Sequence, residues 1–414
     1  MLKDRFDLKT VKIVSGQTGW QLFGKVLSSL STLFLLSVIS RFYGEFGTGV
    51  YTLAITYLAF FNLIADLGMN AYGIRFLERS DDVFNKLLSF RFVLSIFLTI
   101  FSLVGAFLFF SDRNVFLAIS FGSLSIISSA IYVSANMVFQ SKLRYDLSII
   151  GSTLSSFVSA LFIIVIIYFI APVSYLTIGH SIGWILCALV AIFLVRRFLT
   201  LHFIIDRSFI KNMFFENWPV SLTMVLNIVY FRIDTFILSS YRGLTDVGVY
   251  NFSYQFFSNA LVVPTFMMNA LYPLFLKAFK ESRSSFFRLL LKASLIMGSV
   301  GLFGSILTYF VAPHLLPLIA GEGRFVDSVY VLQILAFSFP AFFLSAVFMW
   351  AMVTVSLYKK MFVIYLIGLI VNFILNINII PTYSYLGAAW VTVICEYLIL
   401  LSQAIILLWY FKKQ

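Results

Sequence analysis

The chain has 414 residues, 61% of them hydrophobic and 11% charged, against roughly 25% charged in a typical soluble domain, which excludes an ordinary soluble fold. With 22 Gly and 8 Pro it is neither collagen-like nor disordered. Its 29 Lys+Arg against 17 Asp+Glu leave +12, a charge that suggests nucleic acid or an anionic surface until the basic residues are located.

Apolar runs long enough to cross ~30 Å of hydrocarbon at ~1.5 Å per residue fall over 17–40, 49–72, 87–110, 115–139, 147–170, 175–195, 218–240, 247–276, 289–311, 329–355, 361–380 and 385–410. They predict an all-α integral membrane protein of twelve transmembrane helices. A β-barrel would alternate apolar and polar residues over about ten positions, and these runs are continuous. The first run is long, follows a charged stretch from Lys3 to Lys12 and ends without a small-residue cleavage site, so a cleaved signal peptide is not expected. Cys187 and Cys395 fall inside predicted helices, which argues against a disulfide scaffold or a cysteine metal site.

With the N-terminus placed in the cytoplasm, 23 of the basic residues fall in cytoplasmic segments and four in outside loops. Such a bias fixes orientation and predicts both termini inside, with the basic loops against anionic membrane lipid. The longest non-membrane segment, 196–217, is too short to fold alone, so no nucleic-acid partner is expected. Only Lys25 and Arg232 remain within spans.

An internal repeat divides the chain. Gly44-x4-Gly49-Val50-Tyr51 recurs as Gly243-x4-Gly248-Val249-Tyr250 at an offset of 199, and Met69-Asn70-Ala71 recurs as Met268-Asn269-Ala270 at the same offset. Ser174-Tyr175-Leu176 matches Ser384-Tyr385-Leu386 at 210. Both halves carry six predicted helices and start on the same side, which predicts a parallel pseudo-two-fold repeat of two six-helix lobes, 1–200 and 201–414. Secondary transporters use this symmetry and put the substrate path between the repeats.

Ionisable residues at membrane depth face protein or a water-filled cavity. Five fall there: Lys25, Asp66, Arg232, Asp234 and Glu396. Lys25 and Asp66 lie at similar depth on successive helices, so an ion pair or a snorkelling Lys25 is the structural reading. Arg232 and Asp234 are two residues apart and point to different faces of a helix, and depth makes Glu396 the candidate partner of Arg232. The functional reading is a cavity in which Lys25 and Arg232 receive phosphate oxygens while Asp66, Asp234 or Glu396 carries an ion or proton. Arginine suits phosphate because its planar fork donates two parallel bonds.

Other motifs carry less. Gly19-x4-Gly24-Lys25 imitates a phosphate loop, but Val26 replaces the hydroxyl residue and no strand precedes it. His180, His202 and His314 are too dispersed for a metal site. Pro264 and Pro340 interrupt predicted spans and allow kinks there. A membrane polysaccharide polymerase or glycosyltransferase would need catalytic groups on a sizeable outer loop, and the longest expected one, 312–328, offers only His314, Glu322, Arg324 and Asp327. The chain is therefore not expected to be an enzyme.

Ser40-Arg41-Phe42-Tyr43-Gly44 through Tyr51, Asp66-Leu67-Gly68-Met69 with Arg75, Arg232-Ile233-Asp234 with Val247 to Tyr250, and Leu386-Gly387-Ala388-Ala389 together resemble the Wzx-type O-antigen flippases. These belong to the multidrug/oligosaccharidyl-lipid/polysaccharide (MOP) exporter superfamily. The resemblance implies a MATE-like, V-shaped bundle of two lobes in the bacterial inner membrane. It implies alternating-access transfer of an undecaprenyl-diphosphate-linked oligosaccharide for O-antigen or other surface polysaccharide. Coupling to H+ or Na+, no other cofactor, and contact with other polysaccharide assembly proteins are implied with it. Multidrug cation antiporters of the same superfamily are the principal rival.

Overall fold

A computed structural model describes residues 8–77 and 82–413. Lys3, Arg5 and Arg79, counted among the basic loop residues, lie outside that range. Among the described residues the chain forms fourteen α-helices and no strand. They are α1 (Leu8–Asp66), α2 (Met69–Leu77), α3 (Asp82–Phe109), α4 (Arg113–Gly122), α5 (Leu124–Ser141), α6 (Tyr145–Tyr168) and α7 (Leu176–Val195). After these come α8 (Arg207–Tyr241), α9 (Leu244–Ala260), α10 (Val262–Glu281), α11 (Arg283–Ala320), α12 (Val326–Ala336), α13 (Phe339–Thr354) and α14 (Tyr358–Lys413).

Ten stretches are long and apolar enough to span a bilayer. Two of these are double length. α1 contains a non-helical residue at Gly44 (φ 64°) and α14 one at Ser384 (φ 50°), so each doubles back and supplies two crossings. Counted in this way the described residues contain the twelve expected crossings, and the chain is a multi-pass membrane protein.

The distribution of polarity is that of a membrane protein. Helix α3 turns Asn85, Ser89, Arg91, Ser95, Thr99 and Ser102 inward and exposes Phe97, Ile100, Phe101, Val104 and Phe107. In water that arrangement would be inverted. Beside hydrocarbon it follows from solvation, because polar groups then find partners only inside the bundle. Close packing between α6 and α7 uses the Gly179-x3-Gly183 pair: a Cβ at Gly183 would meet the Ser155 carbonyl oxygen at 2.8 Å, and Ser155 Oγ donates to the Gly183 carbonyl at 2.6 Å.

Several expected single helices are broken in the middle. The run 49–72 breaks at Leu67–Gly68, 115–139 at Ser123, 247–276 at Leu261 and 329–355 at Phe337–Ser338. The breaks fall in the second and fourth spans of each half, so the duplication seen in the sequence is also present in the backbone. At Pro340 the cause is explicit, since proline stands in the first turn of α13, where its missing N–H costs no hydrogen bond. The expected outer loop 312–328 is shorter than its sequence suggested, because α11 continues through Pro313 and Pro317 to Ala320.

The chain divides into two compact units, one of 1–38 with 50–225 and the other of 39–49 with 226–414. Within the first, Met69, Tyr72, Phe84, Leu87, Met137 and Phe139 anchor a buried apolar cluster. Within the second, the two copies of the glycine motif meet. A Cβ added to Gly49 would run into the Leu244 carbonyl oxygen and lie 3.1 Å from the Gly248 nitrogen. One added to Gly248 would run into the Glu45 carbonyl oxygen and lie 3.0 Å from the Gly49 nitrogen. Backbone touches backbone here, which only glycine permits.

Candidate functional site

In the first unit the end of α1 brings Asp66 to the break before α2. Leu67 (φ 42°) and Gly68 (φ 66°) both occupy the left-handed region, which costs a leucine more than a glycine. The freed Leu67 carbonyl accepts from Asn217 Nδ2 and Ser221 Oγ of α8, both at 2.6 Å. Those two bonds hold the strained turn.

Asp66 pairs with Arg91 of α3, Oδ1 to Nη2 at 2.6 Å, and not with Lys25. The same guanidinium donates through Nη1 to Asn70 Oδ1 at 2.7 Å and to Ser134 Oγ at 3.1 Å. Asn70 in turn donates to the Val133 carbonyl at 3.1 Å. The Arg91 side chain is 0% exposed and that of Asp66 21%. Sequence reasoning counted Arg91 with the cytoplasmic loop. The available signal was its place nine residues inside the helix that opens at Asp82, or ~13 Å at 1.5 Å per residue. Lys25 is exposed on α1 and makes no ion pair among the described residues.

In the second unit α8 supplies Tyr230, Arg232 and Asp234. Tyr230 and Asp234 are four apart and share a face, whereas Arg232 lies off it. Tyr230 Oη donates to Glu396 Oε1 at 2.5 Å, so Glu396 is held by a tyrosine and not by the arginine that depth suggested. Asp234 accepts from Tyr250 Oη at 2.5 Å and from the Thr235 backbone N–H at 2.6 Å. Thr235 Oγ1 donates onward to Asn251 Oδ1 at 3.0 Å. Asp234, Tyr250 and Glu396 are all buried.

Arg232 is half-buried, with its guanidinium carbon 4.7 Å from the centre of the Tyr254 ring. No carboxylate lies within ion-pair distance of it among the described residues. Tyr250 and Tyr254 are four apart on α9, so one helix face serves both Asp234 and Arg232. That spacing was readable in the sequence and was missed. A cation held against an aromatic face keeps its in-plane N–H groups available.

The three carboxylates are compensated differently. Asp66 has a guanidinium, Asp234 has a hydroxyl and a backbone N–H, and Glu396 has one hydroxyl. A carboxylate in a dry interior needs a counter-charge or several donors, and Glu396 has the fewest. No group of three or more His, Cys, Asp or Glu side chains gathers into a metal site among the described residues. Cys187 and Cys395 are free and buried.

The family model described as "Polysaccharide biosynthesis protein" matches residues 16–279. The chain belongs to that family. A second model, MatE, matches 219–377 of this family member. Its relatives include a Shigella flexneri protein named "Putative O-antigen transporter", 25% identical over 340 residues, which cover 77% of this chain and 80% of that one. Among solved structures, the lipid II flippase MurJ in an inward closed conformation superposes with a TM-score of 0.77 at 14% identity, covering 94% of this chain and 87% of that one. An inward-facing multidrug resistance MATE family transporter of the MOP superfamily gives 0.75 at 14% identity, covering 93% and 94%. These likenesses support the Wzx-type, MOP-superfamily resemblance and fix the fold. Each of the three relatives is named as a transporter or flippase, and none as an enzyme.

Proposed function

We propose that this protein moves an undecaprenyl-diphosphate-linked oligosaccharide from the cytoplasmic to the outer leaflet of a bacterial inner membrane, with both termini inside. Two six-helix lobes, 1–200 and 201–414, would do this by alternating access in the synthesis of O-antigen or a related surface polysaccharide. Lys25 and Arg232 are the cationic contacts for the diphosphate. Asp66, Asp234 and Glu396 are the candidates for coupling to H+ or Na+, and among them Glu396 is favoured because only Tyr230 compensates its charge.

The observation that carries the reading is Arg232. It sits ~13 Å from the Tyr241 end of its helix at 1.5 Å per residue, with an aromatic face beneath it and no carboxylate within ion-pair distance among the described residues. A permanent cation so placed suits an anionic group that arrives and leaves. The family match supports a polysaccharide precursor as cargo.

The test is genetic and chemical. Deleting the gene should abolish surface glycan while lipid-linked repeat units accumulate inside, and Arg232→Ala should reproduce that phenotype. The MatE match favours the second reading, a drug-cation antiporter. Such a protein should tolerate Arg232→Ala and Lys25→Ala and lose drug resistance when Asp66, Asp234 or Glu396 is neutralised. If both cation variants leave surface glycan at normal levels, the cationic-contact mechanism is wrong.

A further inference from the structure

The two arms of α14, 358–383 and 385–413, flank a cavity of about 490 Å³ whose lining includes Cys395, the neighbour of Glu396, but neither Lys25 nor Arg232. Lys359 and Lys360 stand at one end, and Val363, Ile367, Gly368 and Leu398 line the apolar part. Gly368 makes the room: a Cβ there would lie 3.1 Å from the Ile399 side chain. Lys360 is fixed over the Trp409 ring at 3.8 Å, and Trp409 is half exposed. Tryptophan beside lysine at the end of a membrane helix marks the headgroup level.

The dimensions match one leaflet. From Lys359 to Val371, the deepest lining residue on its arm, is ~18 Å at 1.5 Å per residue, and half of a ~30 Å hydrocarbon layer is ~15 Å. A cavity with two ammonium groups at headgroup level and one leaflet's depth of aliphatic wall is complementary to an anionic amphiphile. A polyprenyl chain of many isoprene units would overrun it. A zwitterionic lipid would bring a second cation against the lysines.

We propose that this cavity is a binding site for an anionic glycerophospholipid, whose phosphate rests on Lys359 and Lys360 and whose acyl chain lies between the arms of α14. The site is lined by neither of the two cations proposed to hold the cargo, Lys25 and Arg232. Its occupant joins the two arms across the Ser384 break, where the chain is connected by a single non-helical residue.

Native mass spectrometry of the full chain in detergent tests this, with phosphatidylglycerol and phosphatidylcholine of matched acyl chains offered together. Wild-type protein should retain one phosphatidylglycerol with a preference of about tenfold or more, as two lysines at the headgroup level imply. Lys359→Ala with Lys360→Ala should abolish the preference, and Lys359→Arg with Lys360→Arg should keep it. Ile367→Trp, which fills the groove and leaves both charges, should lose the lipid. Equal retention of the two lipids, or unchanged phosphatidylglycerol binding in the alanine pair, would overturn the proposal. Displacement of phosphatidylglycerol by equimolar polyprenyl phosphate would overturn it as well, because the groove would then be built for the longer chain.

Discussion

Arg91 and Arg232 both lie inside apolar helices, one in each unit, and they are held in opposite ways. Arg91 is sealed from solvent, with both terminal nitrogens bonded to Asp66, Asn70 and Ser134 and Nε left without a hydrogen-bond partner. Arg232 is half-buried and rests on the Tyr254 ring. A buried charge already ion-paired and shut off from solvent is not open to a ligand, and removing its partner strands it. One without an ion-pair contact stays open to a ligand. The contrast separates an arginine that holds helices together from one that can bind.

The largest expected effect follows from the sealed, ion-paired member. Arg91→Leu leaves the Asp66 carboxylate without its counter-ion and should cost about 3–5 kcal/mol, seen as a lower melting temperature in detergent. Arg91→Leu combined with Asp66→Leu should recover most of that loss, and a double-mutant cycle gives the coupling. Next comes Tyr250→Phe. It removes the hydroxyl that donates to Asp234 and should cost about 1–3 kcal/mol, with Tyr230→Phe a parallel case for Glu396. Arg232→Ala should cost only about 0.5–1 kcal/mol of stability, the scale of an exposed cation–π contact, yet remove surface glycan. If it destabilises the protein as much as Arg91→Leu does, the distinction between the two arginines fails.

The smallest effect lies outside the membrane. Asp206, in the segment before α8, receives Lys86 Nζ at 2.9 Å and the Phe209 backbone N–H at 3.0 Å. The lysine contact, followed by the backbone N–H, holds its carboxyl below the usual carboxylate range. A carboxyl lowered on folding contributes stability that is complete above its unfolded value of ~3.9 and is lost as pH falls through the lower folded value. Melting temperature below about pH 4 should therefore fall less steeply in Lys86→Ala than in wild type. The exposed pair should scarcely register at neutral pH.

The fold was legible because the bilayer imposes it: continuous apolar runs have one solution, and the loop charges and glycine repeat organise the rest. The helix breaks were legible in part: Pro264 and Pro340 mark two of them, and the other two were not read from the sequence. Gly68 and Gly122 adjoin those two, but a glycine alone does not mark a break, and the Leu67 turn depends on partners far away in sequence, the Asn217 and Ser221 bonds to its carbonyl. Pairing by depth also failed twice. Lys25 and Asp66 share a depth, as do Arg232 and Glu396, but depth does not say which face a residue occupies. Arg91 was hidden because a cation near a span's end reads as a loop residue until the helix start is known. Tyrosine escaped attention since it carries no charge, although Tyr230, Tyr250 and Tyr254 make most of the polar contacts around the second-unit carboxylates and Arg232.

The meeting of Gly49 and Gly248 bears on how the gene can change. A side chain on either glycine would run into the backbone of the other's helix, so a codon change at either site disturbs the same junction. Two positions that arose as copies are thereby bound to a shared fate, and neither can drift while its twin stands still. Saturation mutagenesis scored on growth-independent surface glycan should find both sites closed to every other residue, and no second-site change at one should rescue the other.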